Sequence, residues 1–297
     1  NIEEKPICEE AKRAQLDCRD PQHYITPNET REHVFRRYIR NLGGGYIGVA
    51  SDQNYSFAAL ARSEWVWLMD YDPVIVRLHK MLAPLIANAK TPEELVAQFA
   101  PENSEKSLVL IGEYYADDPE VEATKAFYRN IRVRLFNYYG RSTKLGTADD
   151  EYGWLRVPAH YAHIHLLAKQ KRMKAVKGDM LAHEGAMYQI GQAAQKMGVP
   201  IRAYYTSNAP DAWGGIMTPD YRANVLSFPM DERSLVLQVF GFKTGFGQTG
   251  YWHFNVQSGL QQQERLGLEG YNRVWELVTE RIKADDVDMT VMGLTSD

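Results

Sequence analysis

Cysteine is almost missing from this 297-residue chain, which has only Cys8 and Cys18, both close to its start. Two cysteines cannot build a disulfide scaffold or a four-thiolate zinc site, so a hydrophobic core has to hold the fold. With 44% hydrophobic and 11% aromatic residues there is ample material for one. No apolar run approaches the roughly 18 residues that would span a bilayer as a helix. An excess of positive charge is lacking too. Thirty-four Lys and Arg stand against 38 Asp and Glu, a net charge of -4, which excludes a nucleic-acid binder that relies on overall basicity. Arg31, Arg36, Arg37 and Arg40 are interleaved with apolar residues and read as the wet face of a helix. There is no internal repeat, no Gly-x-Ser-x-Gly elbow, no P-loop and no zinc spacing. His160, His163 and His165 superficially suggest a metal cluster. On a helix, however, His165 points away from the other two, and no acidic residue completes the set.

The cysteine pair bears on compartment. If residues 7–18 are looped, Cys8 and Cys18 can close a small disulfide; if they form one helix, ten residues of rise separate them by about 15 Å and no bridge is possible. The first residue is Asn1 and not Met. With the cysteine pair, this fits an exported chain whose signal peptide has been removed, and favours a periplasmic or secreted location over a cytoplasmic one. A trimmed chain with two idle thiols is the other reading.

What is present is a strand–helix alternation. Residues 30–41 have helical spacing, with Val34, Phe35, Tyr38 and Ile39 on one face. Apolar runs of strand length follow at 46–50, 65–69, 173–176, 200–206 and 234–240, with a less certain one at 251–257. Helical patterns occupy 57–62, a stretch opening at Pro73, 158–169, 184–197, 219–226 and 268–282. Strands alternating with helices are the mark of a mostly parallel sheet covered on both faces. Residues 87–158 break the rhythm with helical stretches at 92–99 and 119–136 and turn-rich segments between. The organisation expected is a leading segment and helix (1–42), then one α/β domain (43–297) with a largely helical insertion (about 87–158).

In such a sheet ligands bind beyond the carboxyl ends of the strands. There the sequence places Ser51, Asp52, Gln53, Asn54 and Tyr55 after the first strand, and Asp70 after the second. Asp179 follows the third, Ser207 and Asn208 the fourth, and a glycine-rich loop leads from the fifth to His253, Asn255 and Gln257. These last three alternate with Phe254 and Val256 and so share one face. Each has a structural reading as well. Asp70 or, better placed, Asp72 can cap the helix at Pro73. Asp179 can begin the next helix, Ser207 and Asn208 can be turn residues before Pro210, and His253 can be a satisfied core histidine.

Over roughly residues 43–245 this layout resembles the class I S-adenosylmethionine-dependent methyltransferases. Residues 48–55 (GVASDQNY), 204–208 (YYTSN) and 252–257 (WHFNVQ) are similar to a family of uncharacterised bacterial proteins with methyltransferase-like folds. The resemblance implies a three-layer α/β/α Rossmann-like sheet, mostly parallel, with S-adenosylmethionine as cofactor. It implies that Asp70 binds the ribose hydroxyls, that Asp179 meets the adenine amine, and that Ser207 and Asn208 face the reacting group. The departure lies in the first loop, where the family's Gly-x-Gly-x-Gly lets backbone approach the donor without Cβ clashes. Here only Gly48 remains, and Ser51, Asp52, Gln53 and Asn54 would meet the donor instead.

Two functions are therefore expected as rivals. One is a transferase that holds S-adenosylmethionine or a related nucleoside at Gly48, Ser51–Tyr55, Asp70 and Asp179, and a small acceptor near Ser207, Asn208, His253, Asn255 and Gln257. The other is an exported binding protein that kept the fold and changed or lost the donor site. Both take a small-molecule ligand, and neither needs nucleic acid or a membrane span. A protein-interaction role for the insertion is a third.

Overall fold

The computed structural model describes residues 23–29, 31–144, 152–241, 252–285 and 288–294. Cys8, Cys18, Thr30 and the glycine-rich loop ending at Tyr251 lie outside the described residues. Among the described residues eight strands form one sheet: β1 (Gly45–Gly48), β2 (Trp65–Asp70), β3 (Met173–Lys177), β4 (Ile201–Ser207), β5 (Leu235–Phe240), β6 (His253–Ser258), β7 (Ile282–Lys283) and β8 (Met289–Met292). Their spatial order is β3-β2-β1-β4-β5-β6-β8-β7. The first five strands are mutually parallel. β6 runs antiparallel to β5, β8 runs parallel to β6, and the two-residue β7 closes the edge antiparallel to β8.

Nine helices of six or more residues accompany the sheet among the described residues: α1 (Gln53–Ala61), α2 (Pro73–Asn88), α3 (Pro92–Ala97), α4 (Ser104–Tyr114), α5 (Val121–Ser142), α6 (Pro158–Lys169), α7 (Ala186–Met197), α8 (Pro219–Leu226) and α9 (Gly259–Gly267). Alternation along the strands sorts the core into two layers. Tyr46, Val66, Leu68, Tyr205 and Leu237 pack with residues of α1, α2 and α6, such as Phe57, Leu78 and Ile164. Ile47, Trp67, Met69, Tyr204 and Val236 pack with residues of α7 and α8, such as Met187, Ile190 and Val225. Strands buried on both sides read as unbroken apolar runs, which is why they stand out in the sequence. α3, α4 and α5 bring Leu95, Leu108, Ile111 and Tyr139 into the first layer. No helix among the described residues is long and apolar enough to cross a membrane.

Local chemistry sets most element ends. Asp72 accepts from the Val74 N–H at 2.8 Å with Pro73 in the first turn, starting α2 as a capped helix. Two expected helices need correction. Residues 31–41 hold only a 3-10 turn (Glu32–Phe35) and one α-turn (Arg36–Ile39), bounded by the left-handed Arg31 (φ 70°) and by Arg40, whose ψ of 122° leaves the helix. Residues 268–282 are not one helix. The Ser258 side chain starts α9 earlier, at Gly259, and Gly270 turns the chain at φ 98° before a 3-10 turn (Val274–Val278).

Candidate functional site

The fold reverses direction between β1 and β4, since β2 and β3 build outward on one side and β5 on the other. A crevice beyond the carboxyl ends of those two strands is the place where such sheets take ligands. The loop after β1 is folded around Asn54. Its Nδ2 donates to the carbonyls of Val49 (2.7 Å), Ser51 (2.7 Å) and Ala50 (3.3 Å), while its Oδ1 accepts from the Tyr46 hydroxyl at 2.6 Å. A Cβ on Gly48 would stand 1.9 Å from that Oδ1. The one retained glycine therefore makes room for a side chain of the protein itself.

Asp70 closes on the same loop. Its two carboxyl oxygens accept from the N–H groups of Ala50 (2.8 Å) and Asp72 (2.9 Å), and burial raises its pKa to about 6. The left-handed Ala50 (φ 68°) is held from the other side by His79, whose Nε2 donates to its carbonyl at 2.9 Å. A carbonyl can only accept, so Nδ1 is the acceptor for the Tyr55 hydroxyl at 2.8 Å. Burial keeps His79 neutral, with its pKa lowered to about 4. Ser51 donates to Gln53 at 3.0 Å. Asp179 accepts from Leu181 N–H at 2.8 Å, as a turn residue does.

At the end of β4, Ser207 is left-handed (φ 51°) and buried. Its hydroxyl and that of Tyr205 donate to the two carboxyl oxygens of Glu29, and the Asn208 side chain bonds Asp211. Glu29, from the segment leading into the sheet, therefore sits in the crevice itself. Burial raises its pKa against the pull of those hydrogen bonds. His253, Asn255 and Gln257 do share one face of β6, where all three are fully buried. Their partners are Thr290 Oγ1 (3.0 Å), Gln238 Oε1 (3.0 Å) and the Leu277 carbonyl (3.1 Å). They join the centre of the sheet to its far edge. Burial lowers the His253 pKa to about 4. His160, His163 and His165 each contact a different backbone carbonyl, of Tyr152, Ser63 and Ile86. Among the described residues no three His, Cys, Asp or Glu side chains gather as metal ligands.

A pocket of about 250 Å³ opens beside the crevice, slightly below the usual range of ligand sites (roughly 300–1,000 Å³) and so sized for a small molecule. Asp52 and Gln53 line it, and so do Glu32, Tyr138, Tyr152, Trp154 and Arg156. Asp52 lies just ahead of α1. It accepts from the Tyr138 hydroxyl at 3.4 Å and from the Trp154 indole, and burial raises its pKa to about 7. Trp154 is fixed through its backbone N–H to Ser56 Oγ at 3.1 Å and by stacking on Tyr161. Burial, with the charges of Glu29 and Asp52, pushes Glu32 well above the usual carboxylate range. Glu32 Oε1 and the Tyr152 hydroxyl are both buried without a hydrogen-bond partner.

Of the residues singled out in the sequence, Gly48, Ser51–Tyr55 and Asp70 thus converge at one loop, with Asp52 and Gln53 facing the pocket. Asp179 follows Gly178, whose N–H bonds the Asp70 carbonyl at 3.0 Å, so it borders that loop, with its own carboxylate turned to Leu181 N–H. The His253, Asn255 and Gln257 face lies toward the other side of the sheet. Glu29, Glu32, Tyr138, Tyr152 and Trp154 were not foreseen as site residues. Glu29 lies just ahead of the helical stretch and Glu32 within it, while Tyr138, Tyr152 and Trp154 belong to the insertion, Tyr138 on α5, and no spacing rule links them.

No curated protein matches the chain. A family model does, over residues 24–296, which is nearly the whole of it. The chain belongs to the family carrying that domain of unknown function, DUF7790.

Proposed function

We propose that this protein binds a small polar molecule in the pocket between Glu32, Asp52 and Trp154, on a sheet whose methyl-donor position has been closed from within. Asn54 carries this reading. Its carboxamide bonds three carbonyls of the loop after β1 and occupies the space beside Gly48, where a methyltransferase would bring bare backbone to its donor. Both oxygens of Asp70 are likewise engaged by backbone N–H groups. The unpartnered Glu32 Oε1 and Tyr152 hydroxyl, by contrast, belong to residues that line the pocket. A buried polar atom without a partner costs about 1–3 kcal/mol, and a ligand that supplies the partner recovers it.

An S-adenosylmethionine-dependent transferase is the second reading, favoured by the parallel order β3-β2-β1-β4-β5 with an acid ending β2. Ser207, Asn208 and His253 would then lie on the acceptor side. Calorimetric titration with S-adenosylmethionine and S-adenosylhomocysteine separates the two. The closed-loop reading expects no binding heat. Micromolar binding that Asp70→Ala abolishes would reject it and establish the donor site.

A further inference from the structure

The pocket has an unbalanced set of charges. Glu32 comes from the leading segment and Asp52 from the start of α1, and Glu29 lies close enough to raise the Glu32 pKa. No cation is among the influences on either pocket carboxyl. Arg156 is the only positive side chain among the described lining residues. Its guanidinium folds back on its own loop, with Nε 2.9 Å from where a Gly153 Cβ would stand. Tyr152 supplies an independent sign of a ligand. It is 8% exposed, lines the pocket, and keeps its hydroxyl buried and unpartnered. A metal ion would need ligands gathered around one point, and among the described residues no such group occurs. What the wall offers is two carboxyl groups, a spare acceptor on Glu32, a hydroxyl on Tyr152, and the aromatic side chains of Tyr138 and Trp154.

We propose that the pocket takes a small organic amine as its ammonium ion, held between Glu32 and Asp52 with its alkyl part against Tyr138 and Trp154. An ammonium has three donors and no acceptor, which suits a wall rich in acceptors. Its charge offsets the repulsion between the two carboxylates, and aromatic side chains favour a cation with an apolar stem. A neutral polyol could satisfy Tyr152 and Glu32 but would leave the paired carboxyls unrelieved. An anion would be repelled.

This assignment rests on the pocket reading above, and the test keeps the two apart. Three probes with the same stem and different heads, n-butylamine, n-butanol and butyrate, are titrated calorimetrically at about pH 8. The proteins are the wild type, Asp52→Asn, Glu32→Gln and the pocket-blocking Ser142→Trp. The amine is expected to bind at least about tenfold more tightly than the alcohol, with butyrate not binding. Asp52→Asn and Glu32→Gln should each weaken the amine about thirtyfold or more, as loss of one partner of a desolvated charge pair does, and leave the alcohol unchanged. Ser142→Trp should remove all binding. If alcohol and amine bind alike, or the amine is indifferent to both isosteric changes, the ammonium assignment falls. If that binding is nevertheless lost in Ser142→Trp, the pocket reading stands without it. If none of the three probes binds the wild type up to about 10 mM, both fall. Far-ultraviolet circular dichroism of each variant confirms that it is folded.

Discussion

Replacing Asp52 by Asn should stabilise this protein, and more so as pH rises. Burial lifts the Asp52 carboxyl from 3.8 to about 7, so the folded state holds the proton more tightly than the unfolded chain does. Well below pH 3.8 both states are protonated and the carboxyl costs nothing, and near pH 4 its cost is still under about 1 kcal/mol. As pH rises from 4 to 7 the unfolded chain ionises freely while the folded one resists, and stability drains away. Each pKa unit corresponds to about 1.4 kcal/mol, so the full cost above pH 7 is about 4 kcal/mol. Asparagine keeps an oxygen to accept from Tyr138 and Trp154 and has no charge to desolvate. His79 and His253, both lowered to about 4, act oppositely. Their folded states shed protons that the unfolded chain retains, so each removes stability as pH falls below 6.5. Comparison with Asp52→Asn at each pH cancels them, since both proteins carry both histidines. The melting temperatures should almost coincide near pH 4 and separate by about 8 °C at pH 8, at roughly 2 °C per kcal/mol for a chain of this size. A difference that stays flat between pH 4 and 8, or a variant less stable at pH 8, would refute the burial account of Asp52.

Three further outcomes test the first loop and its neighbours. Asn54→Ala strands the Val49 carbonyl and the Tyr46 hydroxyl, while His79 still serves the Ala50 carbonyl and the residue 54 N–H that of Ser51, and a loss of about 2–4 kcal/mol is expected in urea denaturation. Gly48→Ala should be destabilising by a few kcal/mol, through the 1.9 Å approach to Asn54 Oδ1. Combined with Asn54→Ala it should cost less than the sum, because the closest clash has been removed and only the approach to the Tyr46 ring and hydroxyl (2.7 and 2.6 Å) remains. His79→Phe leaves the Tyr55 hydroxyl unpaired and the Ala50 carbonyl with only the longer bond from Asn54, and should cost about 1–3 kcal/mol. It should also flatten the acid side of the stability profile below pH 6.5.

The sheet was legible because its central strands are buried on both faces and read as apolar runs, with helices between them marked by Pro73, Pro158 and Pro219 at their first turns. α4 escaped notice because its buried residues Ser107, Leu108 and Ile111 are few and one is polar. β8 is four residues long and β7 two, too short for periodicity to show. At the site, the strand-end rule located Asp52, Gln53 and Asp70. It said nothing of whether their hydrogen-bonding capacity is turned outward or inward, and Asn54 and Asp70 turn it inward. Glu29 and Glu32 were hidden for another reason. A left-handed Arg31, which no composition rule predicts, stands ahead of the helical turns, with Glu29 on one side of it reaching Ser207 and Glu32 on the other lining the pocket.

The seat of Glu29 also has a kinetic and thermodynamic meaning. Its carboxylate is tethered to the same chain as Tyr205 and Ser207 and stands as an intramolecular competitor for the crevice, present at a concentration no dilution lowers. A free molecule seeking those two hydroxyls meets a protein that is binding-competent only in the fraction of time Glu29 is withdrawn, and its apparent affinity falls by that fraction. Shortening this side chain to Ala would therefore do more than break two hydrogen bonds: it would turn a self-occupied crevice into a vacant one.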